Sequence, residues 1–212
     1  MPVSISGDGA ITGLELESFE DVDVGSGASD GDVLTYDATG DLWIPQGVEL
    51  PAGIGSNVVS TTKTDTFSQG SVGGGLSTAV TGLSVTITPT SASSKVLVLV
   101  SLNGSNSDGN IHGSTGVRLM RGATRLGPAD DGSRPGHTSA NLQSTSFGTG
   151  IGHVSVAYLD SPATTSATTY SVEVVNMGSS SNTVYVNRSA DDANSSNSVR
   201  TYSSITAIEV AA

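Results

Sequence analysis

The chain has no cysteine, so disulfides and thiolate chemistry are closed to it, and any toughness has to come from packing or association. It also has no lysine or arginine before residue 58: residues 1–57 hold eleven of the twenty acids and none of the eight bases. That segment stands at −11, while the remaining residues, nine acids against eight bases, stand at −1. Two physically different objects share one chain. Long apolar runs are missing too. The longest, Val96 to Val100, is far short of the roughly 20 residues of a spanning helix. Residues 1–10 lack the basic start and apolar stretch of a signal peptide, so membrane insertion is not expected. A net charge of −12 disfavours nucleic acid, whose binding needs clustered cations to displace counterions.

What the chain does have is Ser, Thr and Gly. Thirty-five Ser, twenty-four Thr and 27 Gly make about two fifths of it. These are poor formers of helix interiors, while the many β-branched residues and low charged fraction argue against disorder beyond residue 57. The fold class expected is all-β: a C-terminal antiparallel β-sandwich or jelly roll, residues 58–212, behind an extended, partner-dependent N-terminal segment, residues 1–57.

The front segment scatters isolated apolar residues among acids, too few to offset the ordering of 57 residues without partners. A hairpin is predicted at 33–44 around Thr39-Gly40, followed by a Pro/Gly linker over 45–57. Beyond it, period-two alternation takes over: Leu83, Val85, Ile87; Val154, Val156, Tyr158; Tyr170, Val172, Val174. The run 95–102, apolar at nearly every position, predicts a strand buried on both faces. With 58–67, 117–121, 183–187 and 203–210, about eight strands result. The connections 104–116, 127–150 and 189–198 exceed what hairpins need, and such loops carry binding residues.

Several sharper readings meet plainer ones. Asp21, Asp23, Asp30 and Asp32 offer oxygens for Ca²⁺, but no EF-hand or nonapeptide spacing is present. An acidic surface for a basic partner is the preferred account. The doublets Asp130-Asp131 and Asp191-Asp192 invite a glycosidase reading; neighbours on an extended chain point apart, so neither doublet makes a catalytic pair, and turn-forming Asp is expected. His112, His137 and His153 are too dispersed for a zinc site. No catalytic residue, metal or cofactor is expected. Tyr185 and Tyr202 are candidate sugar-stacking residues, though core or interface positions are the commoner fate of Tyr. Trp43, the single tryptophan, is the natural anchor of an interface.

The segments LESFEDVDV (16–24), DGDVLTYD (30–37) and GDLWIP (40–45) resemble a short module of tail-fibre and other appendage proteins of tailed bacteriophages, those of cyanobacteria included. STTKTDTF (60–67), GLSVTITP (82–89), LDSP (159–162) and VYVNRS (184–189) are similar to a β-sandwich domain at the distal end of such proteins. The resemblance implies a virion location, a homotrimer, attachment to another virion protein through residues 1–57, and a displayed sandwich. The docking residues expected are Phe19, Tyr36, Leu42, Trp43 and Ile44; the receptor-binding residues are Asp108, Arg134, His137, Arg188 and Asp191, with host surface glycan as ligand. The long shaft of typical fibres is missing between the two parts. This leaves a short tail fibre, a capsid or tail decoration (cement) protein, and, less favoured, a polysaccharide depolymerase.

Overall fold

Where Val, Leu and Ile alternate with Ser and Thr, the chain runs as strand. The structure, a computed structural model, describes residues 4–5, 11–12, 32–40, 42–47, 57–70, 77–107, 115–140, 148–176 and 182–211. Among them there is no helix. The chain divides into two compact units, Met1–Pro51 and Ala52–Ala212. The first contains the pairs β1 (Ser4–Ile5) with β2 (Ile11–Thr12) and β3 (Asp32–Asp37) with β4 (Leu42–Gly47).

The second unit is an antiparallel sandwich of eleven strands among its described residues: β5 (Val58–Lys63), β6 (Phe67–Gln69), β7 (Ser77–Ile87), β8 (Lys95–Asn106), β9 (Thr115–Arg121), β10 (Thr124–Leu126), β11 (Ser139–Ala140), β12 (Gly152–Asp160), β13 (Thr168–Asn176), β14 (Val184–Val186) and β15 (Ser203–Val210). Their pairing is palindromic in chain order. β5 pairs with β15, β6 with β14, β7 with β13, β8 with β12, and β9 with both β10 and β11. The unit is thus one long antiparallel hairpin, and further pairings of β8 with β15 and β14, and of β9 with β13, roll it up. One sheet runs β5-β15-β8-β12, prolonged at one end by β14 and β6; the other runs β7-β13-β9-β10. This is the jelly-roll order.

The inward faces meet in a core rich in valine: Val96, Val98, Val100 and Leu102 of β8 are at most 3% exposed, opposite Leu83, Val85 and Ile87 of β7. Val172 and Val174 of β13 complete the alternation. Tyr170 is the one fully buried aromatic among the described residues, and its hydroxyl needs a partner there. It donates to Asp160 Oδ2 at 2.7 Å, and Arg121 Nη1 meets both oxygens of the same carboxylate at 2.9 Å. Burial, then the Asp160 charge beside it, pushes the Tyr170 phenol well above its ordinary range. Asp160 ends a strand of one sheet while Arg121 and Tyr170 belong to the other, so the triad clamps the two layers together.

Two sequence expectations differ from this structure. The strand expected over 58–67 breaks into β5 and β6, which pair with different partners. The break is held from far along the chain: Asn187 Nδ2 donates to the carbonyls of Lys63 (2.8 Å) and Asp65 (2.9 Å), and Ser203 Oγ donates to Asn187 Oδ1 at 2.7 Å. Asn187 is fully buried with φ of 62°, a left-handed conformation that Asn tolerates better than most residues. The run 95–102 is not buried on both faces either. Leu99 is 38% exposed and Leu97 half-buried, because a two-layer sandwich gives each sheet one inward face.

Glu209, 1% exposed, ties the ends of the fold together. Its carboxylate accepts bonds from Asn57 Nδ2 (3.0 Å) and from Thr90 N and Oγ1 (2.8 and 2.7 Å), and Asn57 O accepts from Glu209 N at 2.9 Å. Burial pushes this carboxyl up, but the bonds from Thr90, Ser94 and Asn57 outweigh it and bring the pKa down to about 2. A pKa depressed from 4.5 contributes stability that is complete above pH 4.5 and lost as the pH falls towards 2. Glu209→Gln is therefore expected to lower the thermal midpoint at pH 7 and to flatten its decline between pH 4.5 and 2, read by circular dichroism melts. Asp160→Ala, which strands Arg121 and the Tyr170 hydroxyl, is expected to cost about 3 kcal/mol in urea denaturation, against about 1 kcal/mol for Tyr170→Phe.

Candidate functional site

Strand alternation, the DG and TG turns and one tryptophan shape the first candidate site, the β3–β4 hairpin. Asp37 Oδ1 accepts the amide of Thr39 at 2.9 Å and closes the turn, the local bond that makes Asp a turn former. The register sets Tyr36 opposite Trp43 and Leu34 opposite Pro45. The Tyr36 and Trp43 rings stand 5.5 Å apart at 55°, a tilted pairing that suits their quadrupoles. Val33, Leu34, Tyr36 and Trp43 are 37–49% exposed. Ile44 and the position of Leu42 alternate to the other face, opposite Thr35 and Asp37, so Leu42, Trp43 and Ile44 do not form one anchor; Trp43 works with Tyr36. A cleft of about 450 Å³ borders Thr35, Asp37, Ile44 and Gln46. Phe19 lies outside the described residues.

The second candidate is built where β14 leaves the larger sheet. Val184 and Val186 point into the core, so Tyr185 points out, and the Arg188 guanidinium lies 4.3 Å from its ring centroid. Arg188 also donates to the carbonyls of Ser189 (3.0 Å) and Ala190 (2.9 Å) and pairs with Asp192 at 3.2 Å. The other oxygen of Asp192 pairs with Arg200, and the backbones of Arg188 and Arg200 form a bridge that closes the loop at its base. Arg200 first, and Arg188 behind it, hold the Asp192 carboxyl below the usual range. Asp191 caps the amide of Ala193 through Oδ1 at 3.1 Å, and its own amide donates to Gly148 O at 2.8 Å. The end of the 127–150 connection is thereby joined to this loop. A polar cavity of about 270 Å³ opens between Asp192, Asn194, Ser195, Ser198 and Arg200.

Arg134 and His137 belong to a different excursion. Arg134 pairs with Asp131 at 2.5 Å across a small turn, and Asp130 accepts Gly136 N at 2.7 Å and pairs with Arg125 at 2.9 Å. The His137 ring lies against Gly116 so closely that a Cβ there would meet it at 2.6 Å. Its two nitrogens are buried without a hydrogen-bond partner among the described residues, and burial, then Arg118 and Arg125, lowers its pKa. His137 thus packs its ring against the backbone of β9 at Gly116. Of the five expected receptor-binding residues, Arg188 and Asp191 come together, Arg134 and His137 share the other excursion, and Asp108 lies outside the described residues. Each carboxylate of the Asp130-Asp131 and Asp191-Asp192 doublets is engaged by its own loop, the turn-forming role expected of them. Asp192, weighed from sequence only as half of an acid doublet, and Arg200, not named from sequence, are central here. The signal for them was present: an acid doublet between two arginines in a segment otherwise of Ser, Asn, Ala and one Val.

If Asp192 is the pin of this loop, Asp192→Ala leaves the thermal midpoint nearly unchanged, since exposed ion pairs add little stability. It is expected to speed tryptic cleavage after Arg188 and Arg200, read by mass spectrometry.

Compared with known proteins, the chain matches no family model and no curated protein. Among solved structures it is similar to a chain in a structure of infectious bursal disease virus, Gt strain, with 15% identity, 85% of this chain and 42% of that chain covered, and a TM-score of 0.39. A second likeness, to the Gx strain of the same virus, has 15% identity, the same coverage and a TM-score of 0.34. This chain thus spans less than half the length of either, and likenesses this distant carry no inference about function.

Proposed function

We propose that the protein is a non-enzymatic structural component of a bacteriophage virion: a short homotrimeric fibre that attaches through residues 1–57 and displays the jelly roll to host surface glycan. The observation that carries this reading is the contrast between the two units. The jelly roll has a complete core of its own. Among the described residues the hairpin has none, and it leaves Tyr36 and Trp43, a paired aromatic face, nearly half exposed. A two-stranded hairpin is at best marginal in water, so this one is suited to be completed by a partner. Acids flank it in sequence and no lysine or arginine lies within residues 1–57, which fits a basic docking surface on another virion protein.

The glycan-binding surface is the loop of Tyr185, Arg188, Asp191, Asp192 and Arg200. The two arginines present donors, Asp192 an acceptor, and the small, mostly polar cavity beside Asp192 and Arg200 is closed on one side by Ala193. Each such exposed hydrogen bond contributes about 0.5–1.5 kcal/mol, so useful adhesion depends on three copies acting together, with a gain of about 10² to 10⁴.

Trp43→Ala is expected to weaken attachment to the virion by about 2 kcal/mol, near 30-fold, and attachment of the wild type is expected to weaken with salt as charges are screened beyond about 8 Å. Attachment insensitive to both counts against docking through the hairpin. The paired change Asp192→Ala with Arg200→Ala is expected to reduce binding of the isolated protein to host cells by at least tenfold. Unchanged adsorption, together with binding to undecorated capsids, would favour the decoration protein instead.

A further inference from the structure

The outward faces of the two sheets are different in kind. On the sheet of β7, β13 and β9 the outward positions are mostly polar, Ser84, Thr86, Thr169, Ser171, Glu173 and Arg118, with only Ala79 and the half-buried Met120 apolar among them, and Thr86 and Thr169 are bonded across strands at 2.8 Å. This is the polar, charged surface that a solvated sheet face normally carries. On the sheet of β5, β15, β8 and β12 the registers Leu159↔Leu97, Leu97↔Ile208 and Ile208↔Val58 align four large apolar side chains in one row across all four strands. Leu159 and Val58 are 50% exposed, and Leu99, at 38%, follows in the next outward row with Ala157 and Thr206. The row after that is Ser155, Ser101, Ser204 and Thr62. Small residues there keep the face flat.

Charge identifies the occupant. The outward positions of this face on β5, β15, β8 and β12 include no acid, in a chain with twenty of them, one cation, Lys95 at one rim, and one histidine, His153 at the other. Copies of a chain at −12 repel one another, but a neutral face is complementary to itself and can approach a copy without stranding a charge. A charged partner, in contrast, would lose hydration there and gain no counter-charge. Four strands about 4.8 Å apart and about nine residues long give on the order of 600 Å² of face per copy, close to the roughly 800 Å² that each partner contributes to a standard interface. We infer that this face, centred on Leu97, Leu99 and Ile208, is where copies of the chain meet, three such sheets turned towards a common axis. The inference rests on the trimeric reading above and assigns its surface.

The test uses the full chain. Wild type is expected to scatter light as about three times 21.2 kDa, and Leu99→Lys with Leu159→Lys, both at exposed positions, as a single chain at micromolar concentration with its β-sheet circular dichroism and thermal midpoint retained. Because the chain has no cysteine, a single one reports contacts between copies alone. Leu99→Cys treated with a short bismaleimide is expected to give a covalent dimer, and Ser84→Cys, on the opposite sheet, none. This second measurement decides the matter if the double-lysine variant fails to fold. A wild-type mass of 21.2 kDa overturns trimer and face together. A double-lysine variant of unchanged mass, or cross-linking through Ser84→Cys and not Leu99→Cys, overturns the face and leaves the trimer standing.

Discussion

The pairing of β5 with β15 is the contact on which the jelly roll depends. It joins the first strand of the unit to the last, with Ser60 and Thr206 bonded across 146 positions of sequence. β15 also pairs with β8 on its other side. Without β15 the larger sheet falls into separate pieces, Ile205 and Ala207 leave the core, and the fastening of Asn57 and Thr90 to Glu209 is lost. The other end of the same sheet is secured by Asn187, which bonds β5's exit, β8 and β15's entry at once. Such contacts require long loops to close before they repay the entropy, so a palindromic hairpin of this kind folds slowly for its size.

Polar groups buried in the sandwich stand mostly where strands begin or end, as Lys63, Thr115, Asp160, Thr168, Ser203 and Glu209 do. Asp160 serves Tyr170 and Arg121 at the end of β12; Glu209 serves Thr90 and Asn57 near the end of β15. Both are acids whose burial would be costly without several donors. The middle of the core is left to valine, leucine and isoleucine. Specificity of layer packing therefore resides in the rims, where one lost partner exposes a charge to an apolar setting.

Much of the fold is legible in the sequence because period two is a local signal. Leu83, Val85 and Ile87, or Val154 and Val156, reveal their face without reference to anything distant, and both sets are buried as that pattern requires. What is not legible depends on remote partners. The break after Lys63 is made by Asn187, and nothing within 58–67 announces it. The outward exposure of Leu99 depends on there being two layers rather than three. Arg188, Asp191 and the hairpin aromatics could be named from residue type and loop length. The bridging of Asp192 between two arginines could not, since it needs the Arg188–Arg200 strand bridge to bring both to one carboxylate. His137 also depends on a remote partner: the bare backbone of Gly116 gives its ring a place to pack.

The position of Trp43 gives the two units separate optical signatures. The one indole of the chain belongs to the β3–β4 hairpin, whereas four of the five tyrosines, Tyr158, Tyr170, Tyr185 and Tyr202, belong to the jelly roll. Tryptophan emission therefore reports from the hairpin, which holds the one indole, while tyrosine signals come mostly from the sandwich, Tyr170 at its core among them.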